Sequence, residues 1–553
     1  MSELARGCRT FLAVTAVAWP LGCGGAHSGA AVDSGVGGSA GLDAGSGVDG
    51  GAVVGDGGTL ADSGSGTFGA DGSGAEPDAP LSCTSPEILC GGACVVTSSC
   101  AFAVTSLTPA TGWQNGRGYV TLSGTGFAPG TTVSIGDGQA PARVVNATTI
   151  LIETPPGPLG PQDVTVSLGG ATATLKGAFT YKGAGLTPPW QQRGLTTGRN
   201  YPSMAVLQDG RVLIAGGESG LDYTTALDTA DLYTEPAAMA VAVSSTMGAE
   251  RIGPAGAVTL LTGKVVVVGG DCMYSNATGG CDADTTAVDL FDPVTNTFTP
   301  SAASMPGSSV VVSGVLLVDG RVLFVNNTSP DAAIYDPDAD TITTVPLPLP
   351  LSSQFGLFYP FMARLRDGRV LVGAGDTNDQ STPANYTFLF DPATDTFTPT
   401  GAFVVLRDAA TATTLPDGRV MVLGGVPSGS AVTAAALDSI ELYDPVAGTF
   451  SLAPYTMSSG RIGHATVLVR DGTVLAIAGS TNDQSNCTTP GTEVASVDQI
   501  DPVAGTVTAF PPLAQPVTQL VGVVLHDGSV LVGGGAQCGV APQPYVDFLQ
   551  GVQ

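Results

Sequence analysis

One short phrase recurs seven times along the last two thirds of this chain, and it dictates the fold. Its cleanest copies read DGRVLIAGG (Asp209 to Gly217) and DGRVMVLGG (Asp417 to Gly425). The turn glycines are Gly210, Gly263, Gly320, Gly368, Gly418, Gly472 and Gly528, spaced by 48 to 57 residues. Each stands between two apolar, β-branched runs. A two-residue Asp-Gly link with positive φ is the preferred tight hairpin turn, so each unit starts with a hairpin. Only the second copy departs, with Thr262 in place of Asp.

The second strand of each unit ends in a glycine pair or its remnant, such as Gly216-Gly217, Gly269-Gly270, Gly424-Gly425 and Gly533 to Gly535. Glycine there permits a close backbone approach that a Cβ would block. Unit three carries Asn326-Asn327 instead and is expected to be irregular. A third strand and a type I turn follow in DLFDPVTNTF, FLFDPATDTF and ELYDPVAGTF, with Asp and Pro at the first two turn positions. Phe291 and Phe298, Tyr335 and Ile342, Phe390 and Phe397, Tyr443 and Phe450, and Ile500 and Val507 bracket that turn at a constant separation, which predicts a fourth strand.

Four strands per period cannot bury a core alone, but units stacked radially can, which is the logic of a β-propeller. The Arg ahead of the first strand, the diglycine after the second, the aromatic on the third and the large apolar residue on the fourth resemble the Kelch family. Phe, Ile or Val stands where that family usually has Trp. The resemblance implies a seven-bladed propeller over residues 186–553. Unit seven runs out one strand short, while a strand around Trp190 is left over before unit one. This N-terminal strand is expected to close the last blade, leaving no free sheet edge.

Composition places the protein outside nucleic-acid binding. Acidic residues number 47 against 19 basic ones, for a net charge of −28, which phosphate backbones repel. The first 22 residues read as an export signal: Arg6 and Arg9, an apolar run from Phe11 to Trp19, then Leu21-Gly22-Cys23. They resemble a bacterial lipoprotein signal, which implies lipidation of Cys23 and an outer-membrane or other envelope location; ordinary secretion is the alternative. No later stretch is long and apolar enough to span a bilayer.

Residues 23–80 are mostly Gly, Ser, Ala and Asp, too poor in apolar side chains to order, and a coil of that length reaches roughly 40 Å. Residues 81–100 hold Cys83, Cys90, Cys94 and Cys100; outside the cytoplasm these read as two disulfides of undetermined pairing, with zinc as the other reading. Cys272 and Cys281 fall in one segment of unit two. Cys487 and Cys538 fall in corresponding segments of units six and seven, which a ring sets side by side, so pairing within each set is expected.

Residues 101–183 alternate short β-rich runs with turns. SLTPATG (Ser106 to Gly112), LSGTGF (Leu122 to Phe127), ETPPG (Glu153 to Gly157) and AFTY (Ala178 to Tyr181) resemble an IPT/TIG domain, an immunoglobulin-like sandwich. The fold class expected is therefore all-β: a TIG sandwich followed by a propeller. A spacer or adhesion role is the plain reading of the sandwich.

Three features bear on chemistry. Arg199, Arg251, Arg407 and Arg461 lie eleven or twelve residues before their turn glycines, so the ring sets them around one channel mouth. They read either as a cationic collar for an anionic group or as structural bridges between blades through buried carbonyls and carboxylates. GDTNDQS (Gly375 to Ser381) recurs as GSTNDQS (Gly479 to Ser485); Asp376, Asn378 and Asp379 can supply calcium ligands or simply build local turns. The propeller resemblance also raises the galactose oxidase group, copper enzymes whose site needs two His, two Tyr and a crosslinked Cys. Here there are three His in all, and His464 and His526 belong to opposite ends of neighbouring inner strands, about 20 Å apart. His464 reads as a structural strand-end residue.

The function expected is a monomeric, non-catalytic surface or secreted protein that binds a glycan or protein through its propeller loops, with no cofactor unless calcium. A glycan-oxidising or cell-wall-acting enzyme and a structural envelope component are the alternatives. No HExxH constellation favours the enzyme.

Overall fold

A computed structural model describes the strands Ile88–Cys90 and Ala93–Val95 and residues 101–551, apart from 221–224, 236, 252–255, 271–285, 308–311, 328, 350–355, 358, 376–384, 428–433, 483–491, 538–539 and 541. Cys23, Cys83, Cys100, Cys272, Cys281, Cys487, Cys538, Asp376, Asn378 and Asp379 lie outside the described residues. Of Cys90 and Cys94 only the backbone is described, in a small antiparallel pair where Leu89 faces Cys94.

The described elements are all β. Residues 103–182 form two packed sheets. One pairs Ala103–Thr108, Tyr119–Thr125, Thr149–Glu153 and Ala142–Asn146; the other is built on the long hairpin of Gly160–Leu168 and Ala171–Lys182. Alternation in YVTLSGT sends Val120 and Leu122 inward, where they meet Ile150, Ile152, Val164, Val166 and Phe179.

The remainder forms seven four-stranded units arranged as a propeller. Five are separate sheets. The first unit (Ser203–Val206, Val212–Ala215, Ala230–Thr234, Met239–Ala242) and the last are joined into one eight-stranded sheet. The last unit consists of Val521–Val524, Val530–Gly533, Tyr545–Gly551 and, from the far end of the chain, Leu186–Gly194. Gln191 faces Phe548 and Arg193 faces Val546 in that antiparallel pairing, so the strand of Trp190 closes the ring as the sequence predicts. The innermost strands neighbour one another in sequence order, and Val521–Val524 returns to Ser203–Val206. Second strands such as VVVV (Val265–Val268) are buried on both faces, because each blade packs on two neighbours.

All seven turn glycines have φ between 82° and 94°, but the hairpins are not the two-residue links expected: the Leu207 amide donates to the Arg211 carbonyl and the Gly210 amide to the Leu207 carbonyl, so three residues make the loop and only the glycine is left-handed. The glycine pairs are the points where one blade grips the next. The amide of Gly217 donates to the carbonyl of Arg251, and that of Gly425 to the carbonyl of Arg461, at 2.8 Å each. A Cβ on Gly425 would stand 2.3 Å from the carbonyl oxygen of Asp408, and φ there is +86°. Gly425→Ala is accordingly expected to cost roughly 2–4 kcal/mol, from left-handed strain plus backbone displacement, read as a lower urea midpoint at unchanged slope.

The third unit is not irregular, contrary to the expectation from Asn326-Asn327. Its four strands pair in register. Gly356, at the start of the next blade, comes close against it: a Cβ there would lie 2.0 Å from the Asn326 carbonyl. The Asn326 side chain meanwhile accepts from the Ser329 amide at 2.7 Å and holds the turn.

Candidate functional site: the central channel and its floor

The seven innermost strands enclose a central cavity of about 320 Å³, to which all seven contribute. Their lining includes small residues such as Ala257, Gly314, Ala412 and Gly522, the hydroxyl-bearing Thr259, Thr413 and Thr466, and larger ones such as Met204 and Met362.

The immunoglobulin-like sandwich forms the floor of this channel. The amide of Ala142 donates to the carbonyl of Val318 at 2.9 Å, and that of Gln139 to the carbonyl of Arg366, both next to Asp-Gly turns. Glu153 and Arg364 form an ion pair at 2.7 Å, with side-chain exposures of 8% and 12%. Arg470 stacks over the Trp113 ring at 3.6 Å, and the Tyr119 and His526 rings meet edge to face at 5.8 Å. The reading of this domain as a spacer is thus too weak: it is bonded to the ring of turns and completes the cavity.

The floor is polar. Asn115, Arg117, Tyr119 and Glu153 from the sandwich meet Arg364 and His526 from the propeller. Arg117 is exposed within this lining and held at φ 61°, an uncommon conformation for a residue with a Cβ, by its amide bond to the Thr154 carbonyl. The side-chain oxygen of Asn115 is buried with no protein partner. Burial and the nearby Glu153 push the Tyr119 phenol up, and burial pushes His526 down, which favours its neutral imidazole. Against one carboxylate, itself paired, the floor holds two guanidiniums. Sequence reasoning missed it because its members come from two domains and no local motif joins them.

Arg199, Arg251, Arg407 and Arg461 do sit at equivalent places, but not as an open collar. All four are 2% exposed or less. Each side chain turns into its own blade and pairs with a carboxylate on the third strand: Asp231, Asp289, Glu441 and Asp498 respectively. Arg461 also donates to the carbonyls of Ala478 and Ser496 at 2.9 and 2.8 Å. The side chain therefore pins strands within a blade, and it is the backbone of the same residue that bridges to the preceding blade. Desolvation explains the choice, because a guanidinium withdrawn from water keeps its charge only when carbonyls and a carboxylate surround it.

His464 is buried, its Nε2 2.9 Å from the Thr411 hydroxyl, and burial pushes its imidazole down to about 3. It starts one inner strand, whereas His526 follows the far end of the next.

These features define an all-β protein in which an immunoglobulin-like sandwich caps a propeller. The family model for the IPT/TIG domain matches residues 103–181, so that segment is an IPT/TIG domain. Among solved structures, the chain is similar to a fungal alcohol oxidase of the AA5 family in complex with copper, with a TM-score of 0.51 and 17% identity over 67% of this chain and 76% of that one. At that identity the likeness speaks for the fold. No curated protein sequence matches the chain. Copper would need several His, Tyr or Cys donors converging, and among the described residues no three His, Cys, Asp or Glu side chains gather in one place. The described residues do not fit that metal.

Proposed function

We propose that this protein is a non-catalytic recognition module of the cell envelope, binding a glycan or protein ligand at the propeller loops and the channel they surround. The observation that supports it is the composition of the channel floor. Glu153 is the single carboxylate among the described lining residues, and Arg364 holds it in an ion pair. Glycoside hydrolysis draws on two carboxylates flanking the bond, one of them free to give up or take a proton. An exposed Arg117 beside an unpartnered Asn115 oxygen suits capture of a polar group instead. Export follows from the signal-like start, with Cys23 as the lipid anchor and the Gly-rich segment as tether; mass spectrometry of the mature N-terminus tests that part.

The functional test is a binding screen of glycans, cell-wall fragments and peptides on the mature protein, with and without calcium. Arg117→Ala is expected to weaken a channel ligand by about tenfold or more, the loss of a charge-assisted hydrogen bond. Hits that are indifferent to this change would move recognition to the outer loops. Product formation from a screened glycan would overturn the non-catalytic reading in favour of an enzyme.

A further inference from the structure

The four buried arginines share a receptor whose parts occupy fixed register positions. The carboxylate is borne by the third-strand residue that faces the position four after the turn glycine: Ile214 faces Asp231, Val267 faces Asp289, Val422 faces Glu441 and Ala476 faces Asp498. In three of these blades Nη1 donates to two carbonyls, one six residues after the turn glycine and one two residues before the carboxylate. They are Gly216 and Thr229 for Arg199, Gly424 and Ser439 for Arg407, and Ala478 and Ser496 for Arg461.

The last blade keeps this receptor and lacks its arginine. Val532, four residues after Gly528, faces Asp547. The two carbonyl positions fall on Gly534 and Tyr545, the first of which also accepts from the Tyr201 amide at 2.9 Å. The arginine position, eleven residues before Gly528, is Val517, and its backbone is placed as an arginine's would be: its carbonyl accepts from the Gly479 amide at 2.8 Å, as those of Arg251 and Arg461 do from their glycines. The fourth blade shows what replacement of both partners looks like, with Leu357 at the arginine position and Phe388 opposite Val372, both buried. The last blade has changed one partner only.

What remains is a cavity of about 290 Å³ lined by Val517, Gly534, Tyr545 and Asp547, with Leu513 and Gln515 at its side. Asp547 is 7% exposed, and its Oδ1 has no partner. A buried carboxylate without a cation is costly, and natural cores seldom retain one. We propose that this cavity is a binding site for a guanidinium group supplied from outside the chain, carried by a free small molecule or by an arginine side chain of a peptide. The ligand completes the seventh blade as Arg199, Arg407 and Arg461 complete theirs. Burial alone pushes Asp547 up to about 6, consistent with a carboxyl lacking its cation. Arg199 lines the same cavity but supplies no substitute, because Asp231 engages it at 3.1 Å.

The site is independent of the channel, so each can fail without the other. The test is calorimetric titration of the mature protein at pH 7.5 with L-arginine, with its uncharged isostere L-citrulline, and with a short peptide bearing one internal arginine. Saturable binding of arginine but not citrulline is expected. Asp547→Asn should weaken it at least tenfold, and Val517→Arg should abolish it while raising the melting temperature by a few degrees, about what one kcal/mol gives in a large domain. If only the peptide binds, the guanidinium arrives on a polypeptide; if free arginine binds as well, the small molecule suffices. No saturation by either, equal binding of citrulline, or full binding by a folded Val517→Arg variant would each overturn the proposal.

Discussion

Arg407→Ala is expected to lower the unfolding free energy by roughly 3–5 kcal/mol, the largest effect of any single exposed-to-small or buried-to-small change proposed for this protein. Arg407 and Glu441 are both 0% exposed at the side chain and 2.7 Å apart. Removing the guanidinium strands Glu441, although the amides of Val404 and Val405 still donate to it at 2.8 and 3.0 Å, and it also frees the carbonyls of Gly424 and Ser439. The check is a urea titration followed by tryptophan fluorescence, with the double variant Arg407→Leu, Glu441→Leu alongside. The double variant should recover part of the loss, as Leu357 with Phe388 does naturally in the fourth blade. A single variant as stable as the parent would show that these pairs are not what locks each blade.

Trp190→Ala is expected to cost roughly 2–3 kcal/mol and to lower the unfolding midpoint of the whole ring. The indole is half-buried against the core cluster that includes Leu513 and Leu549 and donates to the carbonyl of Pro511 at 2.9 Å. Its strand is the seam between the two ends of the propeller, so weakening it weakens closure and exposes the edge of Tyr545–Gly551. Differential scanning calorimetry should show an earlier transition for Trp190→Ala. An unchanged midpoint would mean that backbone pairing alone holds the seam.

The parts of the fold legible in the sequence are those fixed by local rules repeated many times. Asp-Gly at a hairpin, Asp-Pro at a type I turn and β-branched runs between them each constrain only a few residues. Repeated along the propeller, Asp-Gly six times and Asp-Pro five, they leave a radial stack as the way to bury Val265–Val268 and its counterparts. The closing strand was legible for the same reason, since one strand was missing at the end and one was spare at the start. The third blade shows the limit of local reading. Asn326 breaks the glycine rule on its own strand, yet the strands of that blade pair in register, with Gly356 of the next blade close against the Asn326 carbonyl.

The candidate sites divide in the same way. Arginines at equal distances from equal turns announced a shared environment, but the sequence left open whether that environment was solvent or protein. Burial decided it, because the carboxylates of Asp231, Asp289, Glu441 and Asp498 lie some 30 to 40 residues further on, and only the sheet register brings each to its arginine. The channel floor, where Glu153 meets Arg364 across 211 positions of sequence, and the orphaned Asp547 in the blade whose arginine position holds Val517 were not legible at all. The sequence by itself determined the repeat, the blade and the closure, because these rest on short-range backbone preferences and periodic burial. The tertiary structure alone decided which charges are paired, which are left without a partner and what floors the channel, because electrostatics acts between groups that only the folded ring and its docked sandwich bring within a few ångströms of one another.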